Sequence, residues 1–199
     1  VVVATMQTYA YNGGSIKVSS LYRVHADGSI EVTQTYTPEG SLPPLPRLGM
    51  WLNLPNKYDR VEWWGYGPTE SYPDRHEAVT VGRWDAKVGD LYTHYPRPQE
   101  SGNLESVSEI SVTSADGTGL LVISPERVIS ASALPWSASE IARVTHDCDL
   151  PESRATWLSL DAAVLGLGNS SCGPGVLKKY SIPEGPHTLS IVLTPISAR

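Results

Sequence analysis

The sequence predicts an all-β protein, an antiparallel sandwich with one short helix near residues 137–143. Short runs of alternating apolar and polar residues recur along the chain, and tight-turn signals separate them. The composition agrees. Seventeen glycines, 16 prolines, 6 tryptophans, 10 tyrosines and no phenylalanine in 199 residues suit a turn-rich β protein better than a helical one. A chain of this length can bury a real core as one domain over residues 1–199.

Residues 1–11 and 16–24 are strand-like and separated by Asn12-Gly13-Gly14, and Ala26-Asp27-Gly28-Ser29 turns the second run into a third over 30–37. Alternation in Ile30-Glu-Val-Thr-Gln-Thr-Tyr36 puts one face inward and one in water, as antiparallel strands do. Across 38–46 the proline density rules out helix or central strand and predicts a connector. A strand resumes over 47–54, with Trp51 and Leu52 to bury, and another covers 59–64. Gly65, Gly67, Pro68 and Pro73 then forbid regular structure for about a dozen residues. Trp63, Trp64, Tyr66 and Tyr72 make this loop either a flat-faced platform for a sugar or another domain, or a plug for one end of the sandwich. Glu70, Asp74 and Arg75 are placed to brace it as an ion-pair set. Residues 106–114 and 120–124 form a hairpin around Ala115-Asp116-Gly117-Thr118, and 129–134 is a further strand. Ser137, with Glu140 three residues on, is a capping box that starts the helix. Strands over 156–160 and 187–193 complete the series.

A formal net charge of −6, with no basic run longer than Lys178-Lys179, argues against nucleic acid or an anionic membrane as partner and leaves neutral sugars open. No apolar stretch approaches the roughly 20 residues of a membrane span, so the chain is expected to be soluble, in cytoplasm or periplasm. Cys148 and Cys172 are too few for a disulfide scaffold, and two free thiols are the default. The five histidines are scattered, so no metal and no cofactor is expected. The chain opens on Val1-Val-Val3 with no initiator Met, which reads as a piece of something longer.

Several segments also carry a resemblance. Pro46-Arg47-Leu48-Gly49, then Leu54-Pro-Asn-Lys-Tyr-Asp-Arg-Val-Glu-Trp-Trp-Gly-Tyr-Gly-Pro-Thr-Glu-Ser-Tyr-Pro-Asp-Arg75, resembles the C-terminal domain of glycoside hydrolase family 2 β-galactosidases. Arg83-Trp84-Asp85, Tyr92-Thr93-His94-Tyr95, Pro98-Gln99-Glu100-Ser101-Gly102-Asn103, Leu160-Asp161 and Gly166-Leu167-Gly168-Asn169-Ser170-Ser171-Cys172-Gly173-Pro174 follow in the family's order. The resemblance implies a fold similar to the galactose mutarotases, a two-sheet supersandwich. It also implies that the chain enters that domain partway, because the family's opening segment with Trp-Arg-Ala-Pro-x-Asp-Asn is absent. The implied activity of the parent is retaining hydrolysis of terminal β-D-galactosides, which needs two carboxyl groups about 5 Å apart. In the family both sit on a barrel that precedes this segment, so the present chain is expected to be inert alone. Its implied partners are that barrel, the parent's other domains and galactoside sugars.

The loop over 166–174 is the principal candidate for contact with sugar. Its glycines let the backbone turn tightly, and Asn169, Ser170 and Ser171 offer polar groups suited to hydroxyls. In some relatives a tryptophan of this loop stacks on the leaving sugar. Cys172 stands there in this sequence, resembling an N-x-S-C-G-P variant, and a thiol has no ring face. The same loop also reads as a closure of the sandwich against the barrel. His94, Glu100 and Asn103 are further candidates for substrate binding, in the region where a mutarotase-like fold has its cleft. His94 reads equally as a packed or solvated histidine. After Asn103 the family's basic continuation is replaced by Leu104-Glu105-Ser106-Val107-Ser108, which leaves Glu100 without an evident partner. Trp64, Tyr66, Glu70, Tyr72, Asp74 and Arg75 are assigned to a domain interface or to bracing. A free-standing carbohydrate-binding module, or a separately encoded small subunit acting in trans, is the alternative function; a mutarotase using His94 and Glu100 as acid and base is a third.

Overall fold

Alternation and turn chemistry build most of the molecule as read. The structure, a computed structural model, describes residues 1–170 and 172–198. Strand β1 (Val2–Tyr11), β2 (Gly14–Val24) and β3 (Ile30–Gly40) form a meander in which Ile16, Val18, Val32 and Tyr36 point to the core. Then come β4 (Arg47–Pro55), β5 (Arg60–Gly67), β6 (Thr80–Lys87), β7 (Leu104–Val107), β8 (Glu109–Thr113), β9 (Gly119–Ile123), β10 (Ile129–Leu134), helix α1 (Ala138–Arg143), β11 (Ala155–Val164) and β12 (His187–Ile196). All pairings are antiparallel. One sheet has eight strands, in the order β1-β2-β3-β12-β9-β8-β5-β6, and the other has four, in the order β4-β11-β10-β7. Trp63, Ile110, Ile191 and Leu189 of the large sheet pack with Leu104, Leu158 and Leu160 of the small one in a single core.

Four departures from the sequence reading have physical causes. β3 outlasts its expected end and runs through Pro38 because its pairing with β12 stops at Tyr36–His187, and an edge tolerates a residue with no N–H. β5 continues through Gly65 to Gly67, where loop was expected, because β6 pairs with it along its whole length. β6 itself alternates, with Gly82, Trp84 and Ala86 partly buried and Val81, Arg83, Asp85 and Lys87 exposed, but its charged outer face disguised it as loop. The run 106–114 is two strands. β7 belongs to the small sheet and β8 to the large one, and Ser108 at the crossing donates its N–H to the Trp64 carbonyl at 3.0 Å.

α1 starts as predicted. The Ser137 hydroxyl accepts the Glu140 N–H, and the Glu140 carboxylate accepts the Ser137 N–H at 2.8 Å. The two cysteines are free and exposed. Among the described residues, no helix is long and apolar enough to cross a membrane.

Candidate functional site

The 166–174 loop leaves the end of β11 and is held at its base by the aromatic loop that follows β5. Asp74 accepts the amides of Leu167 (3.0 Å, Oδ1) and Gly168 (2.7 Å, Oδ2), and Arg75 donates from Nη2 to the Gly168 carbonyl at 3.0 Å. Gly168 sits at φ +65°, and a Cβ there would meet the Val176 nitrogen at 2.6 Å, so this grip requires glycine. Burial pushes the Asp74 carboxyl up, but the Gly168 and Leu167 amides more than offset it and hold the group below its ordinary value. The Asn169 carbonyl then accepts the N–H groups of Cys172 and Gly173, and Asn169, Ser170 and Cys172 are exposed. Ser171 lies outside the described residues. The bracing expected of Asp74 and Arg75 is therefore made to backbone groups of a distant loop instead of between charges. Glu70 behaves likewise, accepting the Gly102 amide at 2.7 Å.

Glu100 does have a cation, and it comes from upstream. Arg47, at the start of β4, donates from Nη2 to Glu100 and from Nη1 to Asp161 at 2.9 Å and to Ser159 at 3.2 Å. The Tyr72 hydroxyl also donates to Glu100, at 3.2 Å, and the phenol, fully buried and facing Glu100 and Glu70, is pushed well above its ordinary value. Burial disfavours the Arg47 charge, but Asp161 and Glu100 more than restore it. Asp161 is fully buried; burial raises its carboxyl to about 6 against the pull of Arg47 and Ser159, with Glu100 adding to the rise. Its Oδ1 has no hydrogen-bond partner among the described residues. Gly49, paired across from Asp161, makes room for it, since a Cβ would collide with the carboxylate and with the Leu160 carbonyl.

This network borders a cleft on the outer face of the small sheet, and of the residues that line it only Glu100 is among the candidates of the sequence reading. In β4, Leu48, Met50, Leu52 and Leu54 pack inward, so Arg47, Gly49 and Trp51 face out; in β11, Leu158 and Leu160 pack inward, so Trp157, Ser159 and Asp161 face out. Trp51, expected in the core, is 50% exposed for this reason. Arg47, Glu100, Trp51, Trp136 and Trp157 line the cleft, with Ser132 and Ser159 on its floor. The signal was present, as an outward stripe of Trp and polar residues on each strand, but two stripes become one surface only once β4 and β11 pair.

The other candidates are placed separately. His94 bonds Asp147 through Nδ1 at 2.8 Å and meets the Tyr92 ring edge-on with centroids 5.0 Å apart, so it braces the 92–95 turn outside the cleft lining. Asn103 is fully buried and donates to the Ser71 carbonyl at 2.8 Å, which ties it to the aromatic loop and away from any surface. Tyr66 packs on His76 with ring centroids 4.9 Å apart, His76 pairs with Glu105, and Trp64 is half exposed on β5. Among the described residues, no group of His, Cys, Asp and Glu could hold a metal ion.

Comparison with known proteins gives a family. A family model described as "Beta galactosidase small chain" matches residues 1–193. A protein named beta-galactosidase from Halalkalibacterium halodurans is 32% identical over 183 residues, covering 89% of this chain and 18% of that protein. One from Arthrobacter sp. (strain B7) is 37% identical over 150 residues, covering 73% and 15%, and one from Streptococcus thermophilus is 29% identical over 184 residues, covering 92% and 18%. The chain thus spans less than a fifth of the length of these relatives.

Proposed function

The chain belongs to the β-galactosidase small-chain family, and from that premise we propose that it is the C-terminal, non-catalytic domain of a glycoside hydrolase family 2 retaining β-galactosidase. It packs on the catalytic barrel and lends the 166–174 loop to the sugar site. Its two sheets are read as part of a galactose mutarotase-like supersandwich. The observation that carries the loop's role is its mechanical design: a base clamped by Asp74 and Arg75, and a tip whose Asn169, Ser170 and Cys172 side chains are free to meet a ligand. Catalysis is assigned elsewhere for a chemical reason. Glu100 and Asp161 are brought to one cation, but both are engaged by Arg47 and Asp161 is fully buried, so it cannot attack an anomeric carbon.

Replacing Asn169 with Ala in the full-length protein tests the loop. Loss of one hydrogen bond to sugar raises KM for lactose by about fivefold, whereas replacement of the exposed Leu177 leaves it alone. Unchanged KM in the Asn169 variant refutes the loop's contribution. The family description, a small chain, favours one second reading: a separately encoded subunit that acts in trans. Denaturing electrophoresis of the native enzyme decides between the two, because only the second reading gives this domain as a separate chain near 21.6 kDa.

A further inference from the structure

Strand β6 closes one side of the large sheet. It pairs with β5 without a break in register and meets no other strand, so the backbone N–H and C=O groups along its far side have no partner in either sheet. Two common protections of such an edge are missing, since β6 holds neither a proline nor a bulge. Trp84 does not block the way. A Cβ on Gly67 or Gly82 would run into its ring, and its Nε1 donates to the Gly65 carbonyl at 3.3 Å, so the ring lies back over β5. The edge at the other end of the sheet, β1, carries no charged side chain and so specifies no partner and no register.

The charges of β6 do specify one. Its exposed face reads Arg83, Asp85, Lys87, and pairing with β5 sets Asp85 opposite Glu62 and Lys87 opposite Arg60, like against like. Among the described residues neither Asp85 nor Lys87 forms an ion pair, and Arg83 reaches only the exposed Glu109, at 3.3 Å. We propose that β6 is an interface with a second copy of this chain, paired antiparallel edge to edge about a twofold axis at Trp84, so that two eight-stranded sheets become one. Opposite residues of an antiparallel pair share a face, so a twofold perpendicular to the sheet must set some residue of β6 against its own copy. Only Arg83, Trp84 and Asp85 let nearly the whole strand overlap. With Arg83 on the axis two guanidinium groups meet, and with Asp85 there two carboxylates meet while Arg83 faces the partner's Lys87. With Trp84 on the axis Arg83 faces the partner's Asp85, Asp85 faces the partner's Arg83, and the acid beside Glu62 gains the cation its own chain does not supply.

Cysteine cross-linking in the full-length protein reads the register. Arg83→Cys and Asp85→Cys chains are co-expressed and oxidised mildly, and disulfide-linked dimers are measured on a non-reducing denaturing gel. A bridge needs Cα atoms within about 7 Å, a separation that this register gives to position 83 against position 85 of the partner but to neither against its own copy. Linked dimer is expected in up to about half of the co-expressed chains, the share of mixed pairs under random association. Neither variant alone exceeds the background set by the exposed Cys148 and Cys172. Equal linking in either variant alone puts the axis elsewhere and overturns the proposal. So does the absence of linking above background, which is the outcome where another segment of the full-length protein covers β6. Charge exchange in the 199-residue chain gives a reading that needs no cysteine. Arg83→Asp sets an acid against the partner's Asp85 and raises the dimer dissociation constant in sedimentation velocity by about tenfold, and adding Asp85→Arg restores it. An unaltered constant in the single variant, or a double variant as weak as the single one with both folded by circular dichroism, also overturns the pairing. The 166–174 loop takes no part in this pairing, so either result leaves its role in the sugar site to the Asn169→Ala test.

Discussion

Replacing Asp161 with Asn should flatten one component of the pH dependence of stability, with a sign opposite to that of most salt-bridged carboxylates. Asp161 is fully buried and its carboxyl is raised to about 6 in the fold, above the ordinary value of about 3.9 for an unfolded chain. Burial is the leading cause, and Arg47 and Ser159 offset only part of it. Between about pH 4 and 6 the native state therefore binds more protons here than the unfolded state, and stability falls as pH rises through that window. Two units at about 1.4 kcal/mol each amount to about 3 kcal/mol, present below pH 4 and lost above pH 6. Asn has the shape of the protonated acid and keeps a carbonyl oxygen for Arg47, so Asp161→Asn does not change across the window. Urea unfolding of both proteins at intervals from pH 4 to 7 measures the difference, and other titrating groups cancel in it. The difference should shift by about 3 kcal/mol in favour of Asn as pH rises. A flat difference would refute the burial argument, and a shift in favour of Asp would show that Arg47 outweighs desolvation.

Other perturbations test neighbouring parts of the same reasoning. Arg47→Ala strands Asp161 without its cation and should cost about 3–5 kcal/mol at pH 7 and less at pH 4, where the acid is neutral; urea midpoints at the two pH values check it. Gly49→Ala drives a methyl group into the Asp161 carboxylate and the Leu160 carbonyl, and should cost about 3 kcal/mol or more, read as a lowered Tm. Asp74→Ala releases the Leu167 and Gly168 amides, so limited proteolysis within 166–175 should quicken while the global unfolding free energy falls by only about 1–3 kcal/mol. Ser137→Ala removes the cap of a six-residue helix and should cost about 1 kcal/mol in urea unfolding.

Much of the fold was legible because the code for it is local. The hairpin β2–β3 follows from Asp27-Gly28-Ser29, where the Asp27 carboxylate accepts the Ser29 N–H at 2.9 Å, and β8–β9 follows from Asp116-Gly117-Thr118, whose Asp116 accepts the Thr118 N–H at 2.8 Å. In both turns the signal and the structure it specifies lie within four residues. β6 was lost because a strand with Arg83, Asp85 and Lys87 on its open face has half its pattern written in charges, and only its pairing with β5 identifies it. The division of 106–114 between two sheets was also invisible, since nothing in a run of alternating residues states which neighbour each half will have.

The partners of the candidate residues were hidden for the same reason. Sequence reading placed Asp74 and Arg75 as braces but supplied the wrong partners, because the groups they hold, Leu167 and Gly168, lie 93 or 94 positions away. It left Glu100 unpaired by searching the residues just after Asn103, when the cation is Arg47, 53 positions earlier. Alternation tells which face of a strand a residue occupies; it does not tell what else occupies that face. Arg47 is an outward residue of one strand, Ser159 and Asp161 are outward residues of another, and each by itself reads as part of a solvated face. Register turns Gly49 toward Asp161 and Trp51 toward Ser159, and it converts two unremarked stripes into an ion-paired, tryptophan-walled cleft. A burial pattern alone had placed Trp51 in the core because a large apolar residue in a strand has no cheaper local assignment. The structure leaves half of it in water because β4 is the edge of the small sheet and this side chain points away from the core.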